Sequence, residues 1–232
     1  MKKITVAIDG FSANGKSTMA KALAKIIGYI YIDTGAMYRA VTLYCIQNGF
    51  FHGDKLNESR LKEAIDKIGI SFVYNNETGT PDTYLNGIDV EKEIRSEDVT
   101  RKVSIVSAVG FVRHRLVKIQ QEMGQRKGVV MDGRDIGTVV FPDAELKIYT
   151  TATPEIRAER RLNEWKSKGI GMTSSYEQVL EDIKKRDYLD QTREEGPLRQ
   201  ADDAILLDNT NMTREEQMDW LLEKFNSVVN KQ

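Results

Sequence analysis

Residues 4–18 read Ile-Thr-Val-Ala-Ile-Asp-Gly-Phe-Ser-Ala-Asn-Gly-Lys-Ser-Thr. The apolar, β-branched run from Ile4 to Ile8 stops at Asp9-Gly10, and Lys16 to Ile27 then shows helical spacing closed by Gly28. The parse is strand, loop, helix. The loop holds a complete GxxxxGK[ST] pattern, made by Gly10, Phe11, Ser12, Ala13, Asn14, Gly15, Lys16, Ser17 and Thr18. Between a strand and a helix this pattern predicts a phosphate cradle. The loop amides and the positive end of the helix would wrap the β-phosphate of a nucleoside triphosphate. Lys16 would bridge the β- and γ-phosphates, and Ser17 would ligate Mg²⁺.

Outward from this stretch the same alternation recurs. Tyr29–Ile32, Gly128–Met131, Leu146–Thr150 and Ala204–Leu207 read as short buried strands. Helical patterns stand at Thr34–Gln47, Glu58–Ile68, Glu97–Val109, Phe111–Arg126, from Pro154, at Tyr176–Arg186 and after the Thr213-Arg-Glu-Glu216 capping box. Strands separated by helices of ten or more residues predict an α/β fold, a parallel sheet covered by helices on both faces, with its site at the carboxyl ends of the strands. Those ends read Asp9-Gly10, Asp33-Thr34, Asp132-Gly133 and Thr150-Thr151. The pattern changes at Ile70–Tyr74 and Thr83–Leu85, where Leu85-Asn86-Gly87-Ile88 signals a tight hairpin and a β-rich insertion.

The chain has 232 residues, with 34 Lys plus Arg against 35 Asp plus Glu. This balance argues against broad nucleic-acid binding, which needs a basic face. A lone cysteine, Cys45, and two histidines far apart in sequence, His52 and His114, leave no Cys-based metal site and fit a reducing compartment. No run approaches the length of a membrane span, and Asp9 with the glycines after it breaks the N-terminal apolar run before it could be a signal. The expectation is a cytoplasmic protein. Cys45, His52 and His114 are expected to be packing or surface residues.

The arginines bear on what receives a phosphate. Arg39, Arg113, Arg134, Arg157, Arg160, Arg161, Arg186 and Arg193 fall in or beside loops and helix starts, and guanidinium forks suit phosphates on both donor and acceptor. The arginines of 154–166 also have Glu155, Glu159 and Glu164 at pairing distance, so a solvated helix face stands as their other reading. Arg134 follows a strand end directly.

Together, the P-loop, Asp33-Thr-Gly-Ala-Met-Tyr-Arg39, Asp132-Gly-Arg-Asp-Ile-Gly-Thr138 with Val139-Val-Phe-Pro142, and Arg186-Asp with Asp190 and Arg193 resemble the bacterial cytidylate kinases. The likeness runs from near residue 4 to near residue 225. It implies a P-loop NTPase fold with a five-stranded parallel sheet. The core would comprise 1–68, 98–152 and 188–232, with an NMP-binding insertion at about 69–97 and a lid at about 153–187. It implies transfer of the ATP γ-phosphate to CMP or dCMP by a monomer acting on small molecules, without nucleic acid or membrane.

By motif, the monophosphate site would comprise Thr34, Arg39, Ser104, Arg113, Arg134, Asp135, Arg186, Asp190 and Arg193. Asp135 with Arg113 suits the donor and acceptors on the edge of cytosine, and uracil would set a carbonyl against the carboxylate. Arg39, Arg134 and Arg193 would hold the acceptor phosphate, and Arg186 with Asp190 would stand near the pentose. Asp132 would orient Mg²⁺-bound water, and Arg157, Arg160 or Arg161 would close over the transferring group. Lys16, Arg134 and those three lid arginines are thus the catalytic candidates. The family usually has Pro where Phe11 stands and a small residue where Asn14 stands. A different small-molecule P-loop kinase and a non-catalytic nucleotide sensor are the other readings of the same loop.

Overall fold

The computed structural model describes residues 2–167 and 174–230. In chain order the elements are β1 (Thr5–Gly10), α1 (Lys16–Ile27), β2 (Ile30–Asp33), α2 (Thr34–Gln47), β3 (Phe51–His52), β4 (Lys55–Leu56) and α3 (Glu58–Ala64). Then come β5 (Ile70–Asn75), β6 (Thr80–Leu85), β7 (Ile88–Asp89), α4 (Glu97–Ser107), α5 (Gly110–Gly124), β8 (Val129–Gly133) and β9 (Leu146–Thr151). The chain finishes with α6 (Pro154–Ser167), α7 (Tyr176–Thr192), β10 (Ile205–Asp208) and α8 (Arg214–Val229).

A five-stranded parallel sheet runs β10-β9-β1-β8-β2. The strand at its centre, β1, is buried at every residue, as a strand covered on both faces must be. Its register with β8 pairs Ile8 with Asp132, and its register with β9 pairs Gly10 with Thr150. Three predicted strand ends are thereby aligned at one end of the sheet. The chain forms two compact units, Met1–Ile30 with Lys127–Gln232, and Tyr31–Arg126. In the first, α1 packs on β1 and β8, α8 on α1 and β9, and α6 on α7.

The second unit has its own core, in which α2 contributes Met37, Val41 and Cys45, α3 Leu61, α4 Val103 and Val106, and α5 Val112 and Leu116. Burial pushes the Cys45 thiol up to about 12. The predicted insertion is an antiparallel sheet, β5-β6-β7. Its β6-β7 hairpin turns on Asn86 (φ 51°) and Gly87 (φ 83°), the two left-handed residues that a type I′ turn needs.

Several elements differ from expectation, among them the helix expected at 58–68, which ends at Ala64 and passes into a 3₁₀ turn over Ile65–Lys67. The predicted helix 176–186 continues to Thr192, with Arg186 and Asp190 four residues apart on one helical face and Arg193, at the C-cap, also approaching Asp190. The β3-β4 hairpin was hidden in a stretch too short and polar to show a strand period. Residues 168–173, inside the expected lid range of about 153–187, lie outside the described residues. Among the described residues no helix is long and apolar enough to cross a membrane.

Candidate active site

In the first unit the P-loop folds tightly onto the end of β9. A Cβ at Gly10 (φ 150°) would lie 2.2 Å from the Thr150 carbonyl oxygen, so only glycine fits. Gly15 (φ 86°) sits at the N-cap of α1, which has no side-chain cap and no acid in its first turn. An uncapped helix start of this kind is an anion site once a loop closes around it. Lys16 lies back along the loop, its Nζ donating to the Phe11 carbonyl at 3.0 Å.

Both departures from the family pattern have physical accounts. Phe11 packs beneath the Arg157 guanidinium, 4.9 Å from the ring centre, and edge-on to Tyr149. Asn14 is fully buried. Its amide donates to the Thr150 carbonyl and hydroxyl at 2.9 and 2.6 Å, and its Oδ1 accepts the Lys16 N–H at 3.2 Å. Next to it Ala13 takes a left-handed φ of 57°, a strain held in place by the bonds around it.

Ser17 Oγ donates to Asp132 Oδ2 at 2.7 Å, which joins the two residues expected at the metal. A hydroxyl and a carboxylate side by side form the hard, oxygen-only donor set that Mg²⁺ prefers, with its other positions left to water and phosphate. Among the described residues no group of three or more His, Cys, Asp or Glu assembles for a metal. The residues present fit Mg²⁺ held chiefly by its substrate.

The lid-range arginines divide by environment. Arg157 is 2% exposed and forms a bidentate pair with Asp187 at 2.9 and 2.5 Å, while its Nε donates to the Ala152 carbonyl. Arg160 donates to the side chain and carbonyl of Asn209 at 2.9 and 2.7 Å, and Asn209 in turn donates to the Asn14 carbonyl at 2.7 Å. Beside this knot opens a pocket of about 480 Å³ lined by Asp208, Thr210, Asn211, Met212 and Glu216. Arg161 stands over Trp165 at 6.0 Å.

A second cluster centres on Asp190. Arg134 donates to it at 2.8 Å, and Arg193 and Arg186 approach at 3.5 and 3.9 Å. Burial opposes ionisation of Asp190, but Arg134, Arg186 and Arg193 hold its carboxyl below the usual range. Burial, with Arg134 and Arg161 nearby, lowers Arg186 to about 10. Arg186 Nε has no hydrogen-bond partner among the described residues, and neither does the buried Ser12 Oγ of the P-loop. Arg193 also lies 3.9 Å from Asp135. Directly after Asp135 the chain makes a π-helical turn over Ile136–Val140, a form enriched at functional sites. Sequence reading placed Asp9 at a strand end without a role. Its two oxygens accept the N–H groups of Ile136 and Gly137 at 2.8 and 2.7 Å, which fixes the start of that turn.

The remaining candidates lie in the second unit. Asp33 caps α2 by accepting the Ala36 N–H at 3.0 Å, so Thr34 is the first helical residue. Arg39 is buried and donates to the Ile94 carbonyl at 3.3 Å and the Thr100 hydroxyl at 2.9 Å. Arg113, 2% exposed, donates to the Ser107 carbonyl and stacks 5.5 Å from the Tyr38 ring. Ser104 lies on α4, its carbonyl accepting the Ser107 hydroxyl at 3.1 Å.

Comparison with known proteins shows the family. The family described as cytidylate kinase matches residues 6–227. The cytidylate kinase of Parabacteroides distasonis is 67% identical over 99% of both chains, and that of Bacteroides thetaiotaomicron 63% identical over 99% of both. At the level of fold alone, a crystal structure of an uncharacterized protein from Eubacterium ventriosum aligns with a TM-score of 0.50 at 11% identity, over 97% of this chain and 99% of that one. A P-loop backed by Ser17 and Asp132, an arginine-ringed Asp190 and a match from end to end lead to one conclusion: the chain belongs to the cytidylate kinase family of phosphotransferases.

Proposed function

We propose that this protein transfers the γ-phosphoryl group of ATP to CMP and dCMP, yielding ADP with CDP or dCDP, by direct in-line attack. An oxygen of the acceptor phosphate forms the new P–O bond as the bond from the γ-phosphorus to the β–γ bridging oxygen breaks. The observation that carries the reading is the presence in one unit of a P-loop and a separate arginine cluster. One suits a triphosphate and the other a second phosphate. The orphaned Ser12 Oγ and Arg186 Nε are buried polar atoms of the kind that a bound ligand satisfies.

Phosphoryl transfer is mainly positioning and charge stabilisation. Residues Gly10 to Thr18 hold the triphosphate through loop amides, with Lys16 swinging from the Phe11 carbonyl to the β- and γ-phosphates. The base of that nucleotide rests in the pocket lined by Asp208, Thr210, Asn211, Met212 and Glu216. Mg²⁺, held by Ser17 and through water by Asp132, supplies charge neutralisation on the triphosphate when bound. Arg39, Arg134 and Arg193 hold the acceptor phosphate, Arg186 and Asp190 stand near the pentose, and Asp135, Arg113, Ser104 and Thr34 read the acceptor nucleoside. Arg160 and Arg161 cover the transferring group, with Arg157 anchoring their helix through Asp187. Water exclusion there limits wasteful hydrolysis of ATP. The protein works in the cytoplasm as a monomer composed of a core, an insertion at about 69–97 and a lid at about 153–187, without nucleic-acid or membrane partners. The balance of 34 Lys plus Arg against 35 Asp plus Glu supports the absence of a nucleic-acid partner.

The test is ADP release from ATP and Mg²⁺ with CMP, dCMP, UMP, AMP, GMP and shikimate offered in parallel, beside an acceptor-free control. Turnover with CMP and dCMP is expected. Turnover confined to another acceptor overturns the base assignment, and no turnover with any acceptor favours the nucleotide sensor.

A further inference from the structure

The three-stranded insertion brings no charged side chain of the proposed site with it, yet it is wired into the helix that carries two of those residues. The wiring ends in a 3₁₀ turn, Glu93–Arg95, whose Ile94 is fully buried. This turn grips the start of α2 twice. The Ile94 carbonyl accepts from Arg39 of α2 at 3.3 Å. In the other direction Arg95 Nη2 donates at 2.9 Å to Asp33, the carboxylate that caps the same helix. Arg95 is itself held from behind, because its Nε and Nη2 reach Glu91 Oε1 at 3.2 and 2.9 Å. The other oxygen of Glu91 accepts the N–H and hydroxyl of Thr83, on β6, at 3.2 and 2.7 Å.

A continuous relay therefore runs from β6 through Thr83, Glu91 and Arg95 to Asp33, and on to the first turn of α2. We propose that Arg95 is a positioning residue for the acceptor phosphate: it fixes the cap of α2 and so sets the aim of Thr34 and Arg39, and the insertion acts as the strut behind it. Three features of the geometry support this. A guanidinium fork can bridge two carboxylates in one fixed orientation, which an ammonium cannot do. Asp33 serves the cap with one oxygen and Arg95 with the other, so the helix start and the strut share a single carboxylate. Burial opposes ionisation of Asp33, and Arg95 overrides it to hold the carboxyl below its usual range.

The inference rests on the reading that Thr34 and Arg39 serve the acceptor, so the experiment separates the two. Steady-state constants for CMP and ATP would be measured for Arg95→Ala, Arg95→Lys and Glu91→Gln, with Arg39→Ala testing the underlying reading. Val106→Ala, a core change in the same unit, serves as a control for simple destabilisation. Arg95→Ala should raise KM for CMP about tenfold, the size of one lost charge-assisted hydrogen bond. KM for ATP and kcat at saturating CMP should stay within about twofold of wild type. Arg95→Lys should recover part of the loss by holding Asp33 alone, and Glu91→Gln, which keeps the shape and weakens the anchor, should fall between. An acceptor KM that moves no more in Arg95→Ala than in Val106→Ala overturns the proposal, as does an equal rise for ATP. Should Arg95→Ala fail to fold, Arg95→Lys and Glu91→Gln carry the same comparison, and wild-type acceptor KM in both overturns it. An Arg39→Ala enzyme with unchanged KM for CMP would remove the acceptor reading, and the strut with it. A large Arg39 effect beside a silent Arg95 removes the strut alone.

Discussion

At the end of β1 the Asp9 carboxylate rests on the amides of Ile136 and Gly137. Burial outweighs those bonds and the nearby Lys16, pushing its pKa up to about 7. The sign of the linkage follows. In the unfolded chain Asp9 ionises near its ordinary value, about 3.9, while the native state keeps the proton until about pH 7. Native protein thus binds more protons than unfolded protein between roughly pH 4 and 7, and stability falls as pH rises through that window. Asp9→Asn mimics the protonated form at every pH. Urea titrations should show wild type losing stability relative to Asp9→Asn from pH 4 to 7, with the difference constant outside that range. A difference that is flat across the window would show that Asp9 titrates as an ordinary carboxylate. In the sequence only the position of Asp9 at a strand end was legible. The π-turn it holds is 127 residues away, and no local pattern announces such a contact. The P-loop pattern was legible because it is local: Gly10, Gly15, Lys16 and Ser17 fall within eight consecutive residues.

Among the elements, α7 shows why boundaries were harder to read than motifs. Its last turn carries Asp190, whose charge complements three arginines, and a charged segment gives no apolar period to follow. Its packing is equally informative, because Val179 and Ile183 bury against Ala158 of α6 while Asp190 closes the far end. Asp190→Asn should cost about 3 kcal/mol, the low end for removing one charge from a buried cluster. That cost should shrink below about pH 4, because the depressed native pKa confers stability that is present above the unfolded value and lost on acidification. Urea unfolding at pH 7 and pH 3.5 measures both, and an equal cost at the two values would remove the electrostatic account. The insertion hairpin was the best-read element, since Asn86-Gly87 forces the turn by backbone sterics alone.

Across the whole molecule the candidate residues are shared between the two compact units, with the P-loop and the Asp190 cluster in one and Thr34, Arg39, Ser104 and Arg113 in the other. A ligand stabilises what it binds by mass action, about 2.7 kcal/mol at a hundred times its Kd. Thermal melts with each substrate added separately should therefore dissociate by variant. Lys16→Ala should lose most of the ATP-Mg²⁺ shift and keep that of CMP, and Arg39→Ala should do the reverse. If either variant loses both shifts together, its effect is on folding rather than on a ligand. Within the first unit, the meeting of Arg134 with Asp190, Arg186 and Arg193 was open to sequence reading only through family resemblance, because spacing along the chain does not encode which segments meet in space. The relay from Thr83 to Asp33 had no sequence signal at all, since an arginine six residues past the end of a hairpin looks like any surface charge.

The lone thiol on α2 has a practical consequence. Cys45 is fully covered and protonated far above neutrality, and the thiolate is the species that reacts with maleimides and iodoacetamides. The native chain is thus already suited to site-directed labelling without a cysteine-free background. Two cysteines introduced at exposed positions, one in each unit, would take a donor and an acceptor dye and allow the distance between units to be followed during turnover, with Cys45 contributing no signal.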